Sequence, residues 1–219
     1  MSSPYFLQLF SEILEKPRFN SEVTSAKEEF QKIAGQIMES DRSYNARINA
    51  FHNWYILDRP LHSVNQTPHR YYIEYNRNTL EETAVKGLGE LADNIHAVFQ
   101  LLKLKKDVFM VRDLASGKKY AVQDAVQVAT MEHGEVFNSR LFVHDGKYFL
   151  TNYVIVHPPE VAKIIRAEAK RVRKKKEDSK SFLFRLLFFH SRWEQYSQWD
   201  VRNIYRFDGG EGVGSAVPL

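Results

Sequence analysis

The sequence predicts an α+β fold: a helical N-terminal half, then a small antiparallel β-barrel, then C-terminal helices. Three observations predict it. Apolar residues recur at three- and four-residue spacing from the N-terminus to about residue 93, the period of helices packed on one face. Between residues 97 and 156 the period changes to two, with turn residues separating the apolar runs. After Pro158-Pro159 the helical period returns in a stretch dense with charge.

The helices are justified in order. Residues 4–15 begin with Pro4, which suits a first helical turn, and stop at Pro17. Residues 21–39 place Val23, Phe30, Ile33, Ala34 and Ile37 on one face. Residues 41–57 start at Asp41 as N-cap and carry an aromatic stripe of Tyr44, Ile48, Phe51 and Tyr55. Thr67-Pro68 opens residues 67–76, with Tyr71, Tyr72 and Tyr75 as the buried face. Thr79 starts a helix to about Asp93, broken or tightened near Gly87 and Gly89.

The strands follow. Ala97 to Lys105 is the first. Val108 to Asp113 and Lys119 to Gln123 flank an Ala115-Ser116-Gly117 turn, and Val136 to Val143 and Lys147 to Val156 flank Asp145-Gly146. Asp-Gly between alternating apolar runs is a hairpin signal, because such turns need positive φ at both central residues. Such a sheet must hide its apolar face and its edges, and closing into a small SH3- or OB-like barrel does both. The chain thus divides into a helical region (1–94), the barrel (95–157), a basic helix and an apolar helix (158–207), and a flexible tail (208–219).

Composition excludes several classes. Aromatic residues make up 13% of the chain, far more than a disordered chain carries, so a packed core is expected. There is no cysteine, which removes disulfides, thiolate nucleophiles and cysteine-ligated zinc or iron–sulfur sites. The N-terminal stretch lacks a cationic region and a small-residue cleavage site, and no run of about 18 apolar residues occurs. A cytoplasmic protein without a transmembrane segment is the expectation.

The segment Phe51-His52-Asn53-Trp54-Tyr55-Ile56-Leu57-Asp58 is an F-x-x-W-x-x-x-D element. It is followed by Val98 to Leu102, by Val111-Arg112-Asp113-Leu114-Ala115-Ser116-Gly117 leading into Lys118 to Val122, and by Glu135 to Val143. In this order the elements resemble bacterial proteins of unassigned function, some carrying a SEC-C zinc motif. The resemblance spans roughly residues 45–165. It implies a helical region followed by a small β-barrel. The SEC-C cysteines are absent, so zinc is not implied, and the resemblance implies no catalytic residue.

The candidate binding site is the basic helix. From Glu160 to Lys176 there are eight bases (Lys163, Arg166, Lys170, Arg171, Arg173, Lys174, Lys175, Lys176) against two acids, Glu160 and Glu168. Such a run attracts a phosphate backbone, RNA or DNA, and a solvated helix face is the plain alternative. Lys103, Lys105, Lys106, Lys118 and Lys119 extend the patch if the barrel lies alongside, and Phe109 and Tyr120 are stacking candidates whose other reading is core. The apolar run 182–189 offers a second expectation, a protein–protein adaptor or homodimer, and with the basic helix a third, peripheral membrane attachment.

Chemical motifs are scarce. His52, His62 and His69 near Asp58 are the loose histidine cluster, without the four-residue spacing of a helical metal site. Asp58-Arg59 reads as a local ion pair or helix cap. Gly87-Leu88-Gly89 lacks the spacing and Lys of a phosphate loop, and no G-x-S-x-G serine occurs. The expectation is a non-catalytic binding module with no metal and no cofactor.

Overall fold

The computed structural model describes residues 4–105, 108–123 and 128–207, with side chains described from Phe10 onward. The helical half contains α1 (Pro4–Glu15), α2 (Pro17–Asn20), α3 (Val23–Ala34), α4 (Tyr44–Leu57), α5 (Pro68–Tyr75) and α6 (Glu82–Ala92). The strands are β1 (Ile95–Lys105), β2 (Val108–Asp113), β3 (Lys119–Gln123), β4 (Val136–His144) and β5 (Lys147–Val156). A short 3₁₀ turn then leads into α7 (Ala162–Lys175), α8 (Ser179–Gln195) and α9 (Val201–Ile204). Lys106 and the tail 208–219 lie outside the described residues.

Several helix limits differ from the sequence reading. The second helix ends at Ala34, because Gly35 takes φ +85° and the chain leaves the helix. Ile33 is consequently 40% exposed rather than on the buried face. The α4 helix starts at Tyr44, and Asp41 instead accepts a hydrogen bond from the Met38 N–H. Tyr75 is exposed, with its ring under the Arg18 guanidinium at 3.9 Å, a cation–π contact that needs no burial. Gly87 and Gly89 sit inside an unbroken α6. The apolar helix, α8, begins at Ser179, because Asp178 caps the N–H groups of Lys180 and Ser181, and it ends at Gln195.

The strands close into a barrel in the order β1-β2-β3-β5-β4. All neighbours are antiparallel except β3 and β5, which run parallel. The fully antiparallel barrel expected from two hairpins is thereby corrected, and the reason is arithmetic. Strands that alternate direction around a closed ring must be even in number, and a ring of five needs one parallel contact. The parallel seam is short, with Val122 opposite Tyr148 and Gln123 opposite Phe149. At the β4–β5 turn Asp145 and Gly146 both take positive φ, as a primed hairpin turn demands.

Alternation assigns the two faces of each strand. Phe99, Leu101, Phe109, Val111, Tyr120, Val122, Phe137, Leu141 and Leu150 fill the barrel. Val98, Val136, Phe142, Tyr153 and Ile155 face outward and join the core of the helices, with Phe30, Phe51, Tyr55, Leu183 and Leu187. Strand β4 is buried on both faces from Val136 to Phe142. Arg47 is buried within the α4 stripe and donates to the carbonyls of Ala34, Gly35 and Leu187, satisfying the open end of α3.

Candidate nucleic-acid interface

Helix α7 is amphipathic, and its two faces have different fates. Ile165, Ala169 and Val172 are buried against the barrel and α8. Lys163, Lys170 and Lys174, at seven- and four-residue steps, form a stripe on the opposite side, and Arg166 and Arg173, seven apart, flank it toward the barrel. Lys163, Lys170, Arg173 and Lys174 are exposed, and Arg166 is half-buried.

The two arginines lie along the barrel. Arg166 Nη1 donates to the Gly134 carbonyl at 3.4 Å. Seven residues on, Arg173 covers the β2–β3 turn so closely that a β-carbon at Gly117 would lie 2.5 Å from its Nη1. The turn needs glycine for its φ of +80° as well as for that approach. Lys118 and Lys119, next in the chain and both exposed, are therefore neighbours of the α7 stripe. Lys103 and Lys105 are exposed on β1.

Arg171 is set apart from this surface. Its guanidinium forms paired hydrogen bonds with Glu168 and further ones with Glu177. The Arg171 contact holds the Glu177 carboxyl below the usual carboxylate range. Asp178 is spent as the α8 cap. The acids next to the basic run are thus committed locally, while Lys174, Lys175 and Lys176 remain exposed at the helix end, with Lys176 in the left-handed conformation that turns the chain.

A trough of about 480 Å³ continues the surface along the β3–β5 seam. Lys118, Lys119, Tyr120, Gln123, Lys147 and Tyr148 line it, with Ala121 and Gly146. Tyr120 and Tyr148 meet edge to face at 5.0 Å between ring centroids. Burial, with Asp113 and Tyr148 nearby, pushes the Tyr120 phenol up. Tyr120 and Phe109 are both buried in the barrel, so their core reading holds, although Tyr120 also borders the trough.

A second polar cluster joins the barrel to the helices. Arg140 on β4 is fully buried and donates to Asp58, Asn94 and His96. A guanidinium can only donate, so His96 Nδ1 accepts and Nε2 carries the proton, which goes to the Tyr153 hydroxyl oxygen. Burial, then the Arg140 charge, takes His96 well below its usual range. A cleft of about 420 Å³ opens beside this cluster, with Lys180 and Asp113 on its walls. The imidazole is engaged at both nitrogens, the arrangement of a joint.

The remaining candidates are dispersed. Asp58 and Arg59 do not pair with each other, because Arg59 points to α3 and bonds Glu29 at 2.8 Å and Glu22 at 2.7 Å. Burial would raise Glu22, but the hydrogen bonds from Arg59 and His62 outweigh it and take its pKa to about 2. His69 is buried against the Leu88 carbonyl, and His52 is half-buried on α4. Glu90, His144 and Asp145 come together at the β4–β5 turn, where the Lys86 ammonium already bonds Asp145 at 2.9 Å. The apolar run 182–189 is largely spent inside the molecule, with Phe182, Leu183, Leu186 and Leu187 buried. Among the described residues no helix is long and apolar enough to cross a membrane.

Helical half, five-stranded barrel and basic helix together define an α+β protein with a cationic face on the barrel side. The pattern of a family of unknown function, DUF7986, matches residues 8–195, and the chain belongs to that family. No curated protein and no solved structure matches it.

Sequence reasoning could not have found the trough, because the parallel seam that creates it depends on how the barrel closes. The Arg140 cluster had one legible sign. An arginine inside the apolar-rich run Val136 to Val143 demands a buried carboxylate.

Proposed function

We propose that this protein is a non-catalytic nucleic-acid-binding module, with the barrel as platform and α7 as the main source of charge. One observation carries the reading. Arg173 lies against Gly117, which merges the α7 stripe with Lys118 and Lys119 into one cationic surface rather than leaving a lone solvated helix. A continuous patch that follows a rigid edge suits a phosphate backbone, whose spaced charges reward several cations at once. Glu168 and Glu177 bond to Arg171 and Asp178 caps α8, so the exposed lysines at the end of α7 keep their net charge.

The adaptor and membrane readings draw less support. Both need the apolar face of 182–189, and its large side chains other than the half-buried Phe188 already pack in or against the helical core.

Fluorescence anisotropy with labelled RNA and DNA across a salt series tests the proposal. Binding should weaken steeply with salt and be lost in a Lys174/Lys175/Lys176→Glu variant. Absence of binding at low salt sinks it.

A further inference from the structure

We propose that the trough at the β3–β5 seam receives an unpaired base, so that the ligand is a single-stranded rather than a duplex nucleic acid. This rests on the reading above and adds the form of the ligand.

The seam is where the barrel is least completely laddered. Strand β3 pairs with β2 from Lys119 through Gln123, but with β5 only at Val122 and Gln123. On the β5 side Lys119, Tyr120 and Ala121 have no ladder partner, and the trough opens there. Its walls combine what a nucleotide needs. Lys118, Lys119 and Lys147 supply ammonium groups for phosphate, and Gln123 supplies an amide able to donate to and accept from a base edge. Tyr148 is half-buried and stands at 69° to Tyr120, so the two rings do not stack on each other and a planar base has an aromatic partner. Among the described residues no acidic side chain lines the trough, and the adjacent Asp145 is bonded to Lys86. In a duplex the base faces are already stacked and the pairing edges occupied, so only an unpaired base can use these groups.

The test uses the intact chain. Labelled single strands of about twelve nucleotides, RNA and DNA, are compared with duplexes of the same length, a span within the usual range for such surfaces. Single strands should bind about tenfold tighter than duplexes, the worth of roughly one stacked base. Tyr148→Leu should remove that advantage while leaving the salt slope and the duplex affinity unchanged, and Tyr148→Phe should restore it. Ala121→Leu, at an exposed position, fills the trough without changing charge and should act as Tyr148→Leu does even if the tyrosine variant fails to fold. A difference between the RNA and DNA arms would show contact with the 2′-hydroxyl, and equal affinities would show that base and phosphate suffice; either outcome supports the trough. Equal affinity for single strands and duplexes, with both trough variants silent but salt-sensitive binding intact, overturns this inference and leaves the cationic surface standing. No binding to any of the four ligands overturns both.

Discussion

Asp58 and Arg140 lie 82 residues apart in the chain and form an ion pair that ties the end of α4 to strand β4. Arg140 has no exposed side-chain surface and Asp58 keeps 20% of its own. The Asp58→Ala substitution would leave a guanidinium buried without its counter-charge. The expected loss is about 3–5 kcal/mol of folding stability, read as a lowered urea midpoint. Asp58→Asn should cost less, because the amide oxygen still accepts one hydrogen bond.

Buried histidines, His69, His96, His157 and His190 among them, contribute to the acid side of the stability profile. His96 and His157 are held well below 6.5 by burial first, and His190 is taken to about 3 by burial and then by Arg47. A histidine whose pKa is depressed on folding is neutral in the fold and takes up a proton on unfolding. Stability is therefore complete above the unfolded value of about 6.5 and declines as the pH drops below it. Each such residue contributes a slope of about 1.4 kcal/mol per pH unit until its folded pKa is reached. The urea midpoint should fall between pH 7.5 and 5.5, and His157→Gln should flatten that fall after its own stability cost is subtracted.

Gly117 answers to two constraints, and they can be separated. Alanine there must adopt a φ of +80° and displace the Arg173 guanidinium. The backbone part should cost about 1–2 kcal/mol. In an Arg173→Ala background the displacement disappears and the backbone cost stays, so a double-mutant cycle measured by thermal melting should show a coupling between the two sites.

The cations of α7 should not contribute equally to nucleic-acid binding. Lys170 is exposed on the outward stripe, whereas Arg171 is bonded to Glu168 and Glu177. Lys170→Ala should reduce the slope of log affinity against log salt by about 1, the signature of one lost phosphate contact. Arg171→Ala should leave that slope unchanged. Parallel anisotropy titrations of the two variants at several salt concentrations decide the point.

The legible parts of the fold were those set by local rules. The turn at Asp145-Gly146 and the strands Val108–Asp113, Lys119–Gln123 and Lys147–Val156 stand where alternation and turn chemistry put them. Thr67-Pro68 starts α5 as its residues dictate, with the Thr67 hydroxyl accepting from the Arg70 N–H. The misreadings have two sources. The exposed Tyr75 under Arg18 follows from a distant neighbour that spacing does not reveal, whereas α3 stops at Gly35, a local signal that the apolar periodicity through Ile37 overrode in the reading. The parallel seam was implicit in the count of five strands once closure is assumed. At the candidate site the charges of α7 were visible, but the neutralisation of Arg171 and the approach of Arg173 to Gly117 depend on tertiary placement.

Strand β4 belongs to two interiors at once. Phe137 and Leu141 pack inside the barrel, while Asn138, Arg140 and Phe142 are covered by helices. A fragment beginning at residue 95 would keep every strand, and α8 over Asn138, yet strip Asp58 and Asn94 from the Arg140 guanidinium and uncover the helix-side face of β4, and the helices left behind would lose the surface they close upon. The change from helices to strands along the chain is therefore no line of division in the folded molecule. Helices and barrel should therefore unfold in one transition, because they share the surfaces of β4.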